Sequence, residues 1–217
     1  MKQANQYIED VLSGKILVGE LTRLAVERHV EDLDKDWKYT FDEKKAQRII
    51  DFAEKCKHWK GEFAGENIIL QPHQRFYFGS LFGWVEKKTG LRRFKTSYKE
   101  VARKNGKTTE CALQSKYHLL ADGEVGAQCY FVATKEEQAR IGFKDVAEII
   151  KVTPGLSTRF KVFTKSIVYK SSFIKPLGSD SNTQDGFDPS MGIIDEYHAH
   201  KDDKMLNVIE SRANSGL

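Results

Sequence analysis

The sequence predicts an α/β protein, a mainly parallel central sheet flanked by helices and built around a phosphate-holding loop, with a helical appendage at the N-terminus. Three observations carry that expectation. The triplet Gly106-Lys107-Thr108 opens a segment whose apolar residues recur at helical spacing. The apolar run 126–134 has strand length, as a strand covered on both faces would. A second apolar run, 191–194, stops at two adjacent carboxylates, Asp195 and Glu196. Strand, helix and strand at these lengths suggest βαβ units.

With 217 residues the chain can bury a proper core. The expected division is a helical appendage over 1–62 and the sheet domain over 63–217. In the appendage, 6–12 and 19–33 read as short amphipathic helices. Thr40 resembles an N-cap, with Glu43 completing a capping box for a helix running to about Trp59. No proline precedes Pro72, which suits an all-helical start. His29 and His58 are lone histidines on helices and read as packing or surface residues.

Pro72 fits the first turn of a helix continuing through 76–86. Beside it, Gln71 and Gln74 carry amides that can offer a donor and an acceptor to an adenine edge, the plainer reading being a helix cap. The segment 93–101, rich in aromatic and β-branched residues, reads as the strand that feeds the loop. The stretch Val101-Ala102-Arg103-Lys104-Asn105-Gly106-Lys107-Thr108-Thr109 then offers backbone N–H groups to wrap phosphates. The lysine can reach β/γ oxygens and the Thr108 hydroxyl can ligate Mg²⁺. The helix over 108–121 would aim its positive end at the same anions. In the pattern G-x-x-x-x-G-K-[ST] the first glycine falls at Val101, so only the second half is met; the plain alternative is a helix start with a solvated lysine.

Further on, 135–151 reads as a helix ended by Pro154-Gly155. Segments 160–162 and 166–177 read as two strands of a hairpin, and 178–190 as a polar loop that either senses a ligand or merely connects. At the end of the 191–196 strand, Asp195 can hold Mg²⁺ together with Thr108. Glu196, pointing elsewhere because neighbouring strand residues alternate, can act on an attacking water. The plain alternative is a pair of solvated acids. His198 and His200, i and i+2 on a strand, invite a transition-metal reading, but no third ligand of suitable spacing appears.

Composition narrows the field. The net charge is +4, and between positions 86 and 107 nine basic residues face two acidic ones, with Phe94 and Tyr98 interleaved. A nucleotide or a nucleic acid is the natural partner, against the alternative of a lysine-protected strand edge. No apolar stretch approaches the ~20 residues of a membrane span, and the first residues lack a signal-type apolar run. Cys56, Cys111 and Cys129 have no metal-ligand spacing and read as buried thiols in a reducing cytosol.

Several of these segments together resemble a known family, the ATPase domain of the large terminase subunit of tailed bacteriophages. Leu70-Gln71-Pro72-His73-Gln74 looks like its adenine motif, and Ala102 to Thr108 like its Walker A, in which the first glycine is absent. Ala133-Thr134-Lys135-Glu136-Glu137-Gln138-Ala139 is similar to its post-strand segment. Gln184-Asp185-Gly186-Phe187 and Ile193-Ile194-Asp195-Glu196-Tyr197-His198 resemble its loop and Walker B. The resemblance implies a P-loop NTPase of the ASCE, RecA-like type that uses ATP and Mg²⁺ to drive double-stranded DNA into a procapsid. It implies that Lys107 and Thr108 hold phosphate and Mg²⁺, that Asp195 serves the metal and that Glu196 activates water. Arg103 would place its guanidinium at the γ-phosphate, or else pair with a loop carboxylate. An arginine supplied in trans would be Arg140 or Arg159. The implied partners are DNA, a portal protein, the small terminase subunit and further copies in a ring, in the host cytoplasm and away from membranes. The family's nuclease domain is expected to lie outside this chain. Two other readings stay open at this point: a helicase-like ATPase, and a nucleotide-gated DNA-binding or assembly module without turnover.

Overall fold

The structure is a computed structural model that describes residues 1–178, 188–200 and 202–214. The 184–187 motif and the 215–217 end lie outside the described residues. Contacts divide the chain into two units: Met1–Lys55 with Ile68–Tyr98, and Cys56–Asn67 with Lys99–Leu217. This division and the expected one at 62/63 run differently, because the chain changes unit three times, which composition does not reveal.

The first unit holds α1 (Lys2–Leu12), α2 (Glu20–Leu33), α3 (Glu43–Lys55), α4 (Pro72–Gly83) and an antiparallel pair, β1 (Tyr39–Phe41) with β2 (Trp84–Glu86). Two helices bury stripes at i, i+3, i+4, i+7: Ala4, Tyr7, Ile8 and Val11 on α1, and Ala46, Ile49, Ile50 and Ala53 on α3. Pro72 opens α4 as expected. Thr40, however, lies in β1 opposite Val85 and caps nothing. Asp42 is the cap, its carboxylate accepting the Lys45 N–H at 3.0 Å. The helix stops at Lys55, short of Trp59, where residue 57 bridges to Asn67 and the chain joins the second unit.

No strand forms over 93–101. Arg93 instead donates its N–H to the Trp84 carbonyl at 2.9 Å and pairs with Asp32 at 2.6 Å. Its guanidinium lies over the rings of Trp37 and Phe94, 4.4 and 4.7 Å from their centroids. Side-chain burial in the first unit overrides the local β preference there.

The second unit contains α5 (Lys107–Ala121), β3 (Gln128–Ala133), α6 (Glu136–Val152), β4 (Lys161–Val162), β5 (Ile167–Tyr169), β6 (Ser172–Gly178), β7 (Met191–Ile194) and α7 (Lys204–Asn214). Its sheet runs β4-β5-β6-β3-β7. β3 is parallel to β6 and to β7, while β4, β5 and β6 pair antiparallel. The sheet is therefore mixed, where a mainly parallel one was expected. The run 166–177 breaks at Lys170, whose φ of 53° turns the chain back so that Tyr169 faces Ser172. Links this short can only join antiparallel strands. β3, buried from Cys129 to Ala133, is an interior strand flanked by β6 and β7. The segment 56–67 belongs to this unit and is fastened to α6: Asp145 accepts from the Trp59 indole at 3.2 Å and from Lys60 at 3.1 Å. Among the described residues no helix is long and apolar enough to cross a membrane.

Candidate functional site

The loop before α5 turns on two left-handed residues, Lys104 (φ 68°) and Gly106 (φ 75°). Gly106 is the N-cap of α5, and only glycine adopts that conformation freely. Asn105 braces the turn, its amide donating to the Ala102 carbonyl at 3.0 Å. Lys107 and Thr108 therefore begin the helix, with Arg103 exposed on the loop before them.

β7 lies beside β3 and ends at Ile194, so Asp195 and Glu196 fall just past the strand. The Asp195 N–H donates to the Val132 carbonyl at 2.9 Å, which fixes it to β3. Glu196 is left-handed (φ 49°), a conformation that costs a non-glycine residue about 1–3 kcal/mol. Strand alternation therefore does not separate the two acids as the sequence suggested, because the strand has already ended. Both carboxylates reach the same ammonium: Lys107 Nζ is 3.2 Å from Asp195 Oδ1 and 3.3 Å from Glu196 Oε1. Partial burial pulls the Lys107 pKa down, but the two carboxylates outweigh it and hold it above the usual lysine value.

Lys107 and Asp195 share one small cleft with Thr108, Cys111, Gln138 and Gly142. Burial, aided by the charges of Asp195 and Glu110, pushes the Cys111 thiol up to about 12, so it is no nucleophile at neutral pH. Thr108 and Asp195 line the cleft together, a hydroxyl and a carboxylate, which are the hard oxygen donors that suit Mg²⁺. Gln138 was not singled out in the sequence. It stands in the first turn of α6, and the Thr134 hydroxyl donates to its Oε1 at 2.7 Å.

The other expected site residues have the following local surroundings. Gln71 and Gln74 belong to the first unit, where the Gln71 N–H donates to Gln74 Oε1 at 2.8 Å, the capping arrangement. Tyr197, His198 and Ala199 form a 3₁₀ turn rather than a strand, and His198 Nδ1 lies 3.5 Å from Glu196 Oε2. No group of three or more metal-ligating His, Cys, Asp or Glu side chains occurs among the described residues. Arg140 is held by Glu136 at 2.6 Å and by the Thr164 carbonyl at 3.2 Å, while Arg159 is exposed. The basic stretch 86–107 is partly neutralised within the chain, since Lys87, Arg93, Lys99 and Lys107 pair with Asp36, Asp32, Glu110 and the cleft carboxylates.

No curated protein matches the chain significantly. Among solved structures, the large terminase of bacteriophage HK97 shares its fold, with a TM-score of 0.66 at 22% identity. The match covers 79% of this chain and 36% of the HK97 chain. The family model for the terminase large subunit ATPase domain matches residues 72–214, and with the loop, the sheet and the paired carboxylates in place, the chain belongs to that family.

Proposed function

We propose that this chain carries an ATP-hydrolysing motor domain, a P-loop fold of the ASCE type that drives double-stranded DNA into a procapsid. The observation that carries this reading is the meeting of Lys107 with Asp195 and Glu196 within 3.3 Å, although they lie 88 and 89 residues away in sequence, at the start of a helix and the end of a parallel strand. Ligands of open α/β sheets sit at such strand ends.

When ATP binds, Lys107 exchanges its carboxylate partners for β- and γ-phosphate oxygens, and the backbone N–H groups of 103–109 wrap the anion. Thr108 and Asp195 would hold Mg²⁺, which supplies charge neutralisation along the triphosphate. Released from Lys107, Glu196 orients a water for in-line attack and takes its proton. Arg103 reaches the charge that develops on the γ-phosphate, and Arg140 or Arg159 of a neighbouring copy is the candidate for a second guanidinium. Gln71 and Gln74 are proposed for the adenine edge. For the intact protein we propose DNA, a portal protein and a small terminase subunit as partners, a ring of copies on the portal in the host cytoplasm, and an endonuclease activity carried outside these residues.

Calorimetry and a phosphate-release assay test the reading. Lys107→Ala should weaken ATP binding by about tenfold or more, a loss of about 1.4 kcal/mol per decade. Glu196→Gln should bind ATP within about twofold of wild type while turnover falls by about two orders of magnitude or more. Equal ATP affinities for wild type and Lys107→Ala would overturn the assignment.

A further inference from the structure

His118 lies in the last turn of α5 and is 3% exposed. Its Nδ1 is 2.6 Å from Asp122 Oδ2, and its Nε2 is 2.9 Å from the hydroxyl of Ser190, the residue just before β7. Glu124 Oε2 stands farther off, 3.9 Å from Nε2. The Ser190 hydroxyl donates in turn to the Gln128 carbonyl at 3.2 Å, and the Ser190 N–H donates to the same carbonyl at 2.9 Å. Serine, histidine and aspartate are the residue types of a hydrolytic triad, but here the serine proton is committed to a carbonyl and the imidazole is buried. The cluster is a tie between three elements: the end of α5, the start of β3 and the start of β7.

The far ends of two of those elements carry the site. α5 runs from Lys107 and Thr108 to His118, and β7 starts directly after Ser190 and ends directly before Asp195 and Glu196. The two elements are fastened together at one end and must present their reactive groups to each other at the other. A slip of about 1 Å between such groups is enough to lower a rate about a hundredfold. We propose that His118, Asp122 and Ser190 form a positioning latch that sets where β7 stands along α5, and so holds Asp195 and Glu196 at working distance from Lys107 and Thr108. The latch rests on the ATPase reading for its functional meaning, though not for its structural one.

Two readouts test it in the full chain. Ser190→Ala should lower kcat about tenfold with KM within twofold, because the phosphate-binding end of α5 is untouched, and Ser190→Thr, which restores the hydroxyl, should restore kcat. Hydrogen exchange at the Asp195 amide, bonded to Val132, should speed up about tenfold in Ser190→Ala and return in Ser190→Thr. A wild-type kcat in Ser190→Ala overturns the proposal, as does a loss of kcat that threonine does not rescue or that KM follows. If the wild type shows no turnover, the ATPase reading fails, and the exchange rate alone decides the latch: unchanged exchange overturns it.

Discussion

Lys116 has no exposed surface, and its Nζ finds no hydrogen-bond partner among the described residues. Burial draws its pKa down to about 8, against the partial opposition of Cys56 and Asp145. The Asp145 carboxylate acts on it through charge alone and is bonded to Trp59 and Lys60. The sign of the effect on stability follows from linkage. Between pH 8 and about 10.5 the unfolded chain binds more protons than the folded one, so this group's contribution improves as pH rises through that window. Below pH 8 the full penalty stands, at most about 3 kcal/mol. Lys116→Met should therefore stabilise the chain by about 1–3 kcal/mol at pH 7 in urea unfolding, with the gain shrinking by pH 10. Destabilisation at pH 7 would show that the buried ammonium is better compensated than the structure indicates. From the sequence this lysine was one more charge on a helix, whereas the Gly106-Lys107-Thr108 triplet and the Asp195-Glu196 pair were legible because their chemistry lies in adjacent residues.

The elements with a strong period were also legible. α5, α6 and β3 appear within one or two residues of their expected spans, because the two helices repeat apolar residues at helical spacing and β3 is a continuous buried apolar run of strand length. The β4–β5–β6 meander was only half readable, since a single left-handed residue, Lys170, decides whether 166–177 is one strand or two. Helix α6 sits close on β3, and a Cβ added to Gly142 would lie 2.5 Å from the Phe131 ring. Because the neighbour is an aromatic ring on a buried interior strand, Gly142→Ala should cost about 1–3 kcal/mol by forcing the two elements apart. Thermal melting checks this: an unchanged melting temperature would mean that Phe131 moves freely aside. Gly142 also lines the cleft, so the same change should weaken nucleotide binding.

Acid should act on the molecule through its first unit, where His29 is 4% exposed and accepts the Trp84 indole N–H on Nδ1 at 3.0 Å. Burial lowers its pKa to about 4; Asp32 opposes the shift and Arg28 adds to it. The unfolded chain therefore takes up the proton first as pH falls. This contribution is complete above pH 6.5 and disappears on the way to pH 4, about 2–3 kcal/mol being lost by pH 4.5. Circular dichroism melts at pH 7 and 4.5 should show a lower melting temperature at the acid end, and coincident curves would refute the assignment of His29 as a buried neutral group. The loop, the acidic pair, the order of the long helices and the buried strand could be read from the chain alone, because each depends on residues close together along it. Tertiary structure alone decided the mixed sheet, the loss of a strand at 93–101, the division into units and the tie from His118 to Ser190. Those outcomes depend on which distant groups share an interior, and a pairing across 72 residues leaves no period or spacing to read.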